Sequence, residues 1–297
     1  PNRVFVEINM DCPHTCAHCY QIQHGRDRKR SLSVAEAINR VRQLKQLGIP
    51  NIIPVTGEIL AYPEYLDVYR EAGWTEYLVS NGRLLVENEK LGQTVASCGF
   101  KRLLISAHYE CPENLGNSRF GISPFSLKMV PQIVAAAARH NLGVEAFCVI
   151  GAFNYNRIDQ IFDRAINDGL ENLYLMNLMP TNEFVQKFCL TNEQIQSVFR
   201  QVETIRNRNS KYHTGLFLEG NFGPRAGSKQ GSLLAEENRY CPAGTDQLYI
   251  TIDGDIYGCH FMLKPGMEIG RFEDGEFIMK KNLPEINRKT CYFTQNK

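Results

Sequence analysis

Short apolar strands alternating with amphipathic helices constrain this chain more than any other feature. The 297-residue sequence opens on a strand-like run, Arg3 to Met10. Ser33-x-x-Glu36 then reads as a capping box. It opens a helix with apolar residues at Val34, Ala37, Ile38, Val41, Leu44 and Leu47, ended by Gly48. Further strands are expected at 51–55, 76–80, 101–107, 144–150 and 172–178. Helical spacing lies between them at 63–72, 86–98, 123–140 and 158–168, and a capped helix runs from Thr191 through Ile205. Pro131 is expected to interrupt or restart its helix. Six strands in this order imply a parallel sheet with helical crossovers. Six units are two short of a closed eightfold barrel, and periodicity alone does not separate a partial barrel from a doubly wound open sheet. From Tyr212 onward the alternation stops, and Gly, Pro, Asn and Ser crowd the stretch 220–232. Beyond it, two short strands at 248–252 and 256–259 meet at Asp253-Gly254 as a hairpin.

Directly after the first strand come Cys12, Cys16 and Cys19, spaced C-x3-C-x2-C. Three thiolates cannot close the four-cysteine shell of a usual iron–sulfur cluster or structural zinc site. One metal position is left for something other than a local cysteine. A zinc knuckle with a distant fourth ligand, or three unrelated thiols, are the plainer alternatives. Ten cysteines in a chain this long, with no visible signal peptide, point to a reducing cytoplasm and to metal ligation. A net charge of +1 is not the footprint of a nucleic-acid binder, and no apolar run is long enough to cross a membrane.

With His18 as the aromatic before the third cysteine, the stretch Cys12 to Tyr20 resembles the cluster loop of radical S-adenosylmethionine (SAM) enzymes. The resemblance implies that Cys12, Cys16 and Cys19 hold a [4Fe–4S] cluster whose fourth iron is chelated by SAM, with His18 and Tyr20 beside it. It implies a partial (β/α)6 TIM-like barrel over residues 1–212, in agreement with the six expected strands. Thr56-Gly57-Glu58, after the second strand, is similar to the family's Gly-Gly-Glu-Pro motif, although Thr56 and Ile59 replace the first glycine and the proline. Glu58 would meet the SAM ammonium, and Gly57 would permit close backbone approach. Asn81, in a turn after the third strand, Ser106, at the end of the fourth, and Arg119, in the following loop, match further SAM contacts of the family. Where relatives often continue Ser-x-Asp, this chain has Ser106-Ala107-His108. The ribose contact falls to Asn156 or to Asn154.

The C-terminal hairpin carries a second pattern. Cys241-x12-Gly254-x4-Cys259, followed by Ile269-Gly270 and Cys291, resembles the start of the SPASM/twitch extension of the same superfamily. The likeness implies a small auxiliary-cluster domain over residues 213–297, with one auxiliary [4Fe–4S] cluster on Cys241, Cys259 and Cys291. His260, a later residue, a scattered cysteine or the substrate is left as fourth ligand. A zinc-ribbon-like hairpin is the alternative.

The family chemistry is reductive cleavage of SAM to a 5′-deoxyadenosyl radical, which takes hydrogen from a substrate carbon. Two substrate classes fit. One is a peptide or protein undergoing crosslinking, thioether formation or epimerisation, and the basic run 21–30 suits an acidic partner. The other is a small natural product such as an aminosugar or alcohol, oxidised or epimerised. A low-potential electron donor such as flavodoxin or ferredoxin is implied as partner. His260 is a candidate acid/base residue. Cys111 and Cys189 are candidate hydrogen-atom donors, set against the plainer reading of buried small hydrophobes. A non-catalytic electron carrier is the competing class, for which six barrel units and a Glu58 motif are superfluous.

Overall fold

In strand β1 (Arg3–Asn9), Val4, Val6 and Ile8 are fully buried on one face and Glu7 and Asn9 are buried on the other. A strand covered on both faces suits a parallel sheet that is packed on both sides. β1 pairs in parallel with β2 (Asn51–Thr56) on one side and with β8 (Gln247–Ile250) on the other. The computed structural model describes residues 1–14, 16, 18–21, 27, 29–109, 124–208, 214–222, 241–282 and 284.

A parallel neighbour requires a crossover, and helix α1 (Val34–Gln46) supplies the first. Its capping box is complete: the Glu36 N–H donates to Ser33 Oγ at 3.2 Å, and the Ser33 N–H donates to Glu36 at 2.7 Å. Ala37, Val41 and Leu44 face the same core as Val4, Val6 and Ile8. A second parallel sheet follows, ordered β3 (Leu78–Ser80), β4 (Arg102–Ser106), β5 (Gly143–Ile150), β6 (Asn172–Asn177) and β7 (Gly215–Leu218). β2 and β3 belong to different sheets, so the barrel wall has a seam between them. The expected α/β class, a partial TIM-like barrel, is the fold observed.

Several details differ from expectation. β7 is a seventh parallel strand, beyond the six read from the sequence. The helix expected over 86–98 is two helices, Arg83–Glu87 and Glu89–Ser97, because the Asn88 side chain accepts from the Lys90 N–H and starts a new one. The helix expected from Pro63 begins as a 3-10 turn and becomes regular only over Leu66–Ala72. Pro131 does not break its helix, which runs from Pro124 to Ala138. The lost N–H costs about 3 kcal/mol; burial of Met129, Val130, Ile133, Ala136 and Ala137 offsets it.

The hairpin forms as expected, with β8 antiparallel to β9 (Asp255–Tyr257). Gly254 sits at φ +89°, and a Cβ there would lie 2.4 Å from the Phe272 carbonyl oxygen. Only glycine suits that turn. β10 (Gly270–Glu273) and β11 (Glu276–Met279) extend the same sheet outward. Through the β8–β1 pairing, the C-terminal strands thus continue the sheet that carries the cysteine loop. Among the described residues, no helix is long and apolar enough to cross a membrane.

Candidate functional site

The cysteine loop leaves β1 and returns to it. Asn9 Oδ1 accepts from the Asp11 N–H at 2.8 Å, and Ser31 bridges back to Asn9. The Met10 N–H donates to Arg30 O and the Leu32 N–H to Ile8 O. Cys12, Cys16 and Cys19 are half-buried, and no described cysteine lies in a disulfide. The Cys19 N–H donates to Cys16 O at 3.2 Å, turning the loop between them. Among the described residues, no three His, Cys, Asp or Glu side chains already stand at metal-holding distance. The fit to an iron–sulfur cluster therefore rests on donor chemistry: three soft ligands on one short loop at the C-terminal end of a barrel strand.

Gly57 packs directly against this loop. A Cβ there would lie 2.3 Å from the Asp11 carbonyl oxygen, and its N–H donates to Asn9 O at 2.8 Å. Close approach at Gly57 thus joins two backbones of the protein itself. Tyr62 donates to Asp11 Oδ2 at 2.6 Å, a bond that pushes its phenol up to about 12. Gln21 donates to Thr56 O at 3.0 Å.

Glu58 is buried at the seam between the two sheets. Its Oε1 accepts from the Leu60 N–H (3.1 Å) and Ser80 Oγ (2.7 Å), and its Oε2 from the Asn81 N–H (2.8 Å) and the Asn81 side-chain amide. A carboxylate offers about four lone-pair sites, so these donors fill it. Burial raises its pKa, with the hydrogen bonds from Asn81, Ser80 and Leu60 opposing. Asn81 Nδ2 also meets His14 Nε2 at 2.8 Å, inside the Cys12–Cys16 span. His14 was not singled out from the sequence, and Ser80 only as the first residue of the Ser80-Asn81-Gly82 turn. Their roles depend on contacts that cross 22 and 67 residues of chain.

On the other side of the loop, the His18 ring stands edge-on to His108, with centroids 4.8 Å apart and an interplanar angle of 87°. His108 Nδ1 accepts from the Val149 N–H at 3.2 Å, and burial holds its imidazole well below the usual range. It is therefore neutral, with its proton on Nε2. His108 occupies the position that the Ser-x-Asp pattern would give to an aspartate. Ser106 ends β4 half-buried, opposite Phe147. Asn154 is fully buried: its Oδ1 accepts from Gly151, and its Nδ2 donates to Tyr109 O and Val149 O. Asn156 is exposed. Arg119, Cys111 and Cys291 lie outside the described residues.

Cys241 and Cys259 pack into one small apolar cluster with Ala243, Tyr249, Tyr257, Met262 and Leu263. Tyr20, the residue after Cys19, packs against it. Its ring lies 4.9 Å from that of His260, whose Nδ1 is 3.8 Å from Cys259 Sγ. Burial among these rings lowers the His260 pKa to about 4. The imidazole is neutral at pH 7, because Phe5, Tyr20, Tyr249 and Phe261 desolvate it, and any acid/base role would start from that neutral ring. Cys189 Sγ contacts Leu178 O (3.5 Å) and Val185 O (3.8 Å), beside Phe184 and Phe188.

Comparison with known proteins gives a family and a set of similar folds. The model of the radical SAM superfamily matches residues 6–183, more than half of the chain. A probable GTP 3′,8-cyclase of Sulfurisphaera tokodaii (strain DSM 16993 / JCM 10545 / NBRC 100140 / 7) is 22% identical over 298 residues, covering 95% of this chain and 88% of that protein. The solved structure of Streptococcus suis SuiB bound to precursor peptide SuiA is similar at a TM-score of 0.65 and 16% identity, covering 90% of this chain. This chain spans 61% of SuiB. Native anSMEcpe with bound AdoMet and Cp18Cys peptide is similar at a TM-score of 0.62 and 13% identity, covering 92% of this chain and 77% of that one.

Proposed function

The chain belongs to the radical SAM superfamily, and from that premise we propose that it acts on a carbon of a peptide or protein substrate. Membership implies an enzyme that uses SAM and a [4Fe–4S] cluster. When bound, the two together supply a 5′-deoxyadenosyl radical that removes hydrogen from an unactivated carbon. Cys12, Cys16 and Cys19 hold the cluster in this reading. Gly57, Asn81, Ser106, Arg119 and Asn156 surround SAM together with Glu58, and His18 and Tyr20 flank it on the loop. The observation that carries the reading is the joint between the two motifs. The Gly57 backbone lies against Asp11, and Asn81 reaches His14, so the cysteine loop and the Thr56-Gly57-Glu58 turn form one structure.

The auxiliary unit expected over residues 213–297 begins after β7, which belongs to the barrel sheet, and in this proposal Cys241, Cys259 and Cys291 hold a second cluster in it. The apolar shell around Cys241 and Cys259 supports a site that excludes water. His260 lines it as a neutral ring. The peptide assignment draws on two similar folds, SuiB and anSMEcpe, that were solved with peptides. A small-molecule substrate is the second reading, favoured by the cyclase relative that covers 95% of this chain. A low-potential donor such as flavodoxin or ferredoxin, in a reducing cytoplasm, supplies the electron in either case.

Anaerobic reconstitution with SAM and a strong reductant tests the chemistry. Wild-type protein is expected to form 5′-deoxyadenosine, and the Cys12/Cys16/Cys19→Ala variant none above background. Equal, negligible yields from both would defeat the reading. Solvent deuterium incorporated into the substrate would mark epimerisation rather than oxidation.

A further inference from the structure

We propose that His14 is a positioning residue of the cysteine loop, held by the Asn81 amide, and that Glu58 anchors this clamp. The proposal rests on the reading of Cys12–Cys19 as the cluster loop and adds a task that the family motif does not assign.

The hydrogen-bond network fixes each atom's role. The Asn81 side-chain oxygen accepts from the Arg83 N–H at 2.9 Å, so its nitrogen is the atom that faces Glu58 and His14. An amide nitrogen carries two protons. One goes to Glu58 Oε2 and the other toward His14 Nε2, 2.8 Å away. His14 Nε2 is then the acceptor of the pair. Asn81 itself is held at the end of β3 by its own N–H to Glu58 at 2.8 Å. Ser80 completes the anchor: it donates to Glu58 at 2.7 Å and accepts from the Gly82 N–H at 2.9 Å.

The clamp crosses three separate stretches. Glu58 follows β2, Asn81 follows β3, and His14 stands between Cys12 and Cys16. β2 and β3 lie on opposite sides of the seam between the sheets. The carboxylate therefore closes the seam with protein donors and, through Asn81, ties the Cys12–Cys16 span to the barrel wall.

The test is thiol reactivity in the reduced, metal-free full chain, read cysteine by cysteine by mass spectrometry. Cys12 and Cys16 are half-buried, so opening of the loop adds to a basal labelling rate. Loss of one ordinary hydrogen bond shifts the opening equilibrium about fivefold. His14→Phe and Asn81→Ala are each expected to speed labelling of Cys12 and Cys16 by up to that factor, leaving Cys241 and Cys259 unchanged. His14→Gln, whose side-chain carbonyl can accept the same amide proton, should restore the wild-type rate. The double variant should be no faster than either single one, because both break one contact. In the reconstituted chain, iron release to a chelator should follow the same order.

Unchanged labelling in the variants would overturn the proposal, since groups acting only on SAM cannot affect SAM-free protein. So would a His14→Gln variant no better than His14→Phe. A rise at buried Cys148 as well would show the whole chain opening rather than the loop, and would equally overturn it. Because the labelling needs no SAM cleavage, its failure is distinguishable from a failure of the radical reading.

Discussion

The two cysteine regions touch through Tyr20 and His260 yet are built from opposite materials. The N-terminal loop is held by polar contacts: Asn9 to Asp11, Tyr62 to Asp11, Gln21 to Thr56 and Asn81 to His14. Its three cysteines remain half-buried. The C-terminal pair sits instead among Tyr249, Tyr257, Met262 and Leu263, with Cys259 buried. Cluster potentials follow solvent exposure and hydrogen bonding near sulfur. A loop with fixed polar atoms and open access suits a site that must admit a charged ligand. An apolar cage suits a group that is held and shielded.

Cysteine removal should separate the two regions most sharply. The Cys12/Cys16/Cys19→Ala variant is expected to lose 5′-deoxyadenosine formation altogether. A Cys241/Cys259→Ala variant should still cleave SAM, lose product formation and bind one cluster less iron. If both variants lost SAM cleavage equally, the division of labour would collapse. A smaller effect distinguishes the materials. Glu58→Ala strands buried donors on Leu60, Ser80 and Asn81, at a cost of about 2–4 kcal/mol. Met262→Ala opens a cavity in the aromatic cage at a similar cost of about 2–4 kcal/mol. Chemical denaturation of the full chain measures both.

What could be read in advance follows the range of the interactions. The strands β1 to β6 were legible because local apolar runs specify them. β7 was not: its neighbours are polar or glycine, and its pairing with β6 is a backbone event across 43 residues. The Asp253-Gly254 turn announced the hairpin, but nothing local announced that β8 would join β1. The cysteine spacing and Glu58 stood out as residue types. The partners of Glu58 come from other segments, so its saturation by protein donors was invisible. The neutral state of His260 was hidden for the same reason, because the rings that desolvate it come from Phe5, Tyr20 and Tyr249 as well as its neighbour Phe261.

Glu58 and Met262 differ in how pH should act on them. Burial raises the Glu58 pKa in the folded chain above its unfolded value. Between the two values the native state binds more protons, so stability is full below the ordinary carboxylate value and falls as pH rises through the folded one. Glu58→Gln should flatten that decline in a denaturation series, whereas Met262→Ala should shift the whole curve and keep its slope. A slope that survives in Glu58→Gln would assign it to another group. The smallest effect concerns the contact between His18 and His108. An edge-on ring pair contributes about 0.5–1.5 kcal/mol beyond area burial. His18→Ala should therefore lower the denaturation free energy by about 1 kcal/mol, and His18→Phe, which keeps a ring for the His108 edge, by less. If His18→Phe proved as costly as His18→Ala, a polar contact of His18 would be holding this side of the loop, and both flanks would be built from the same material.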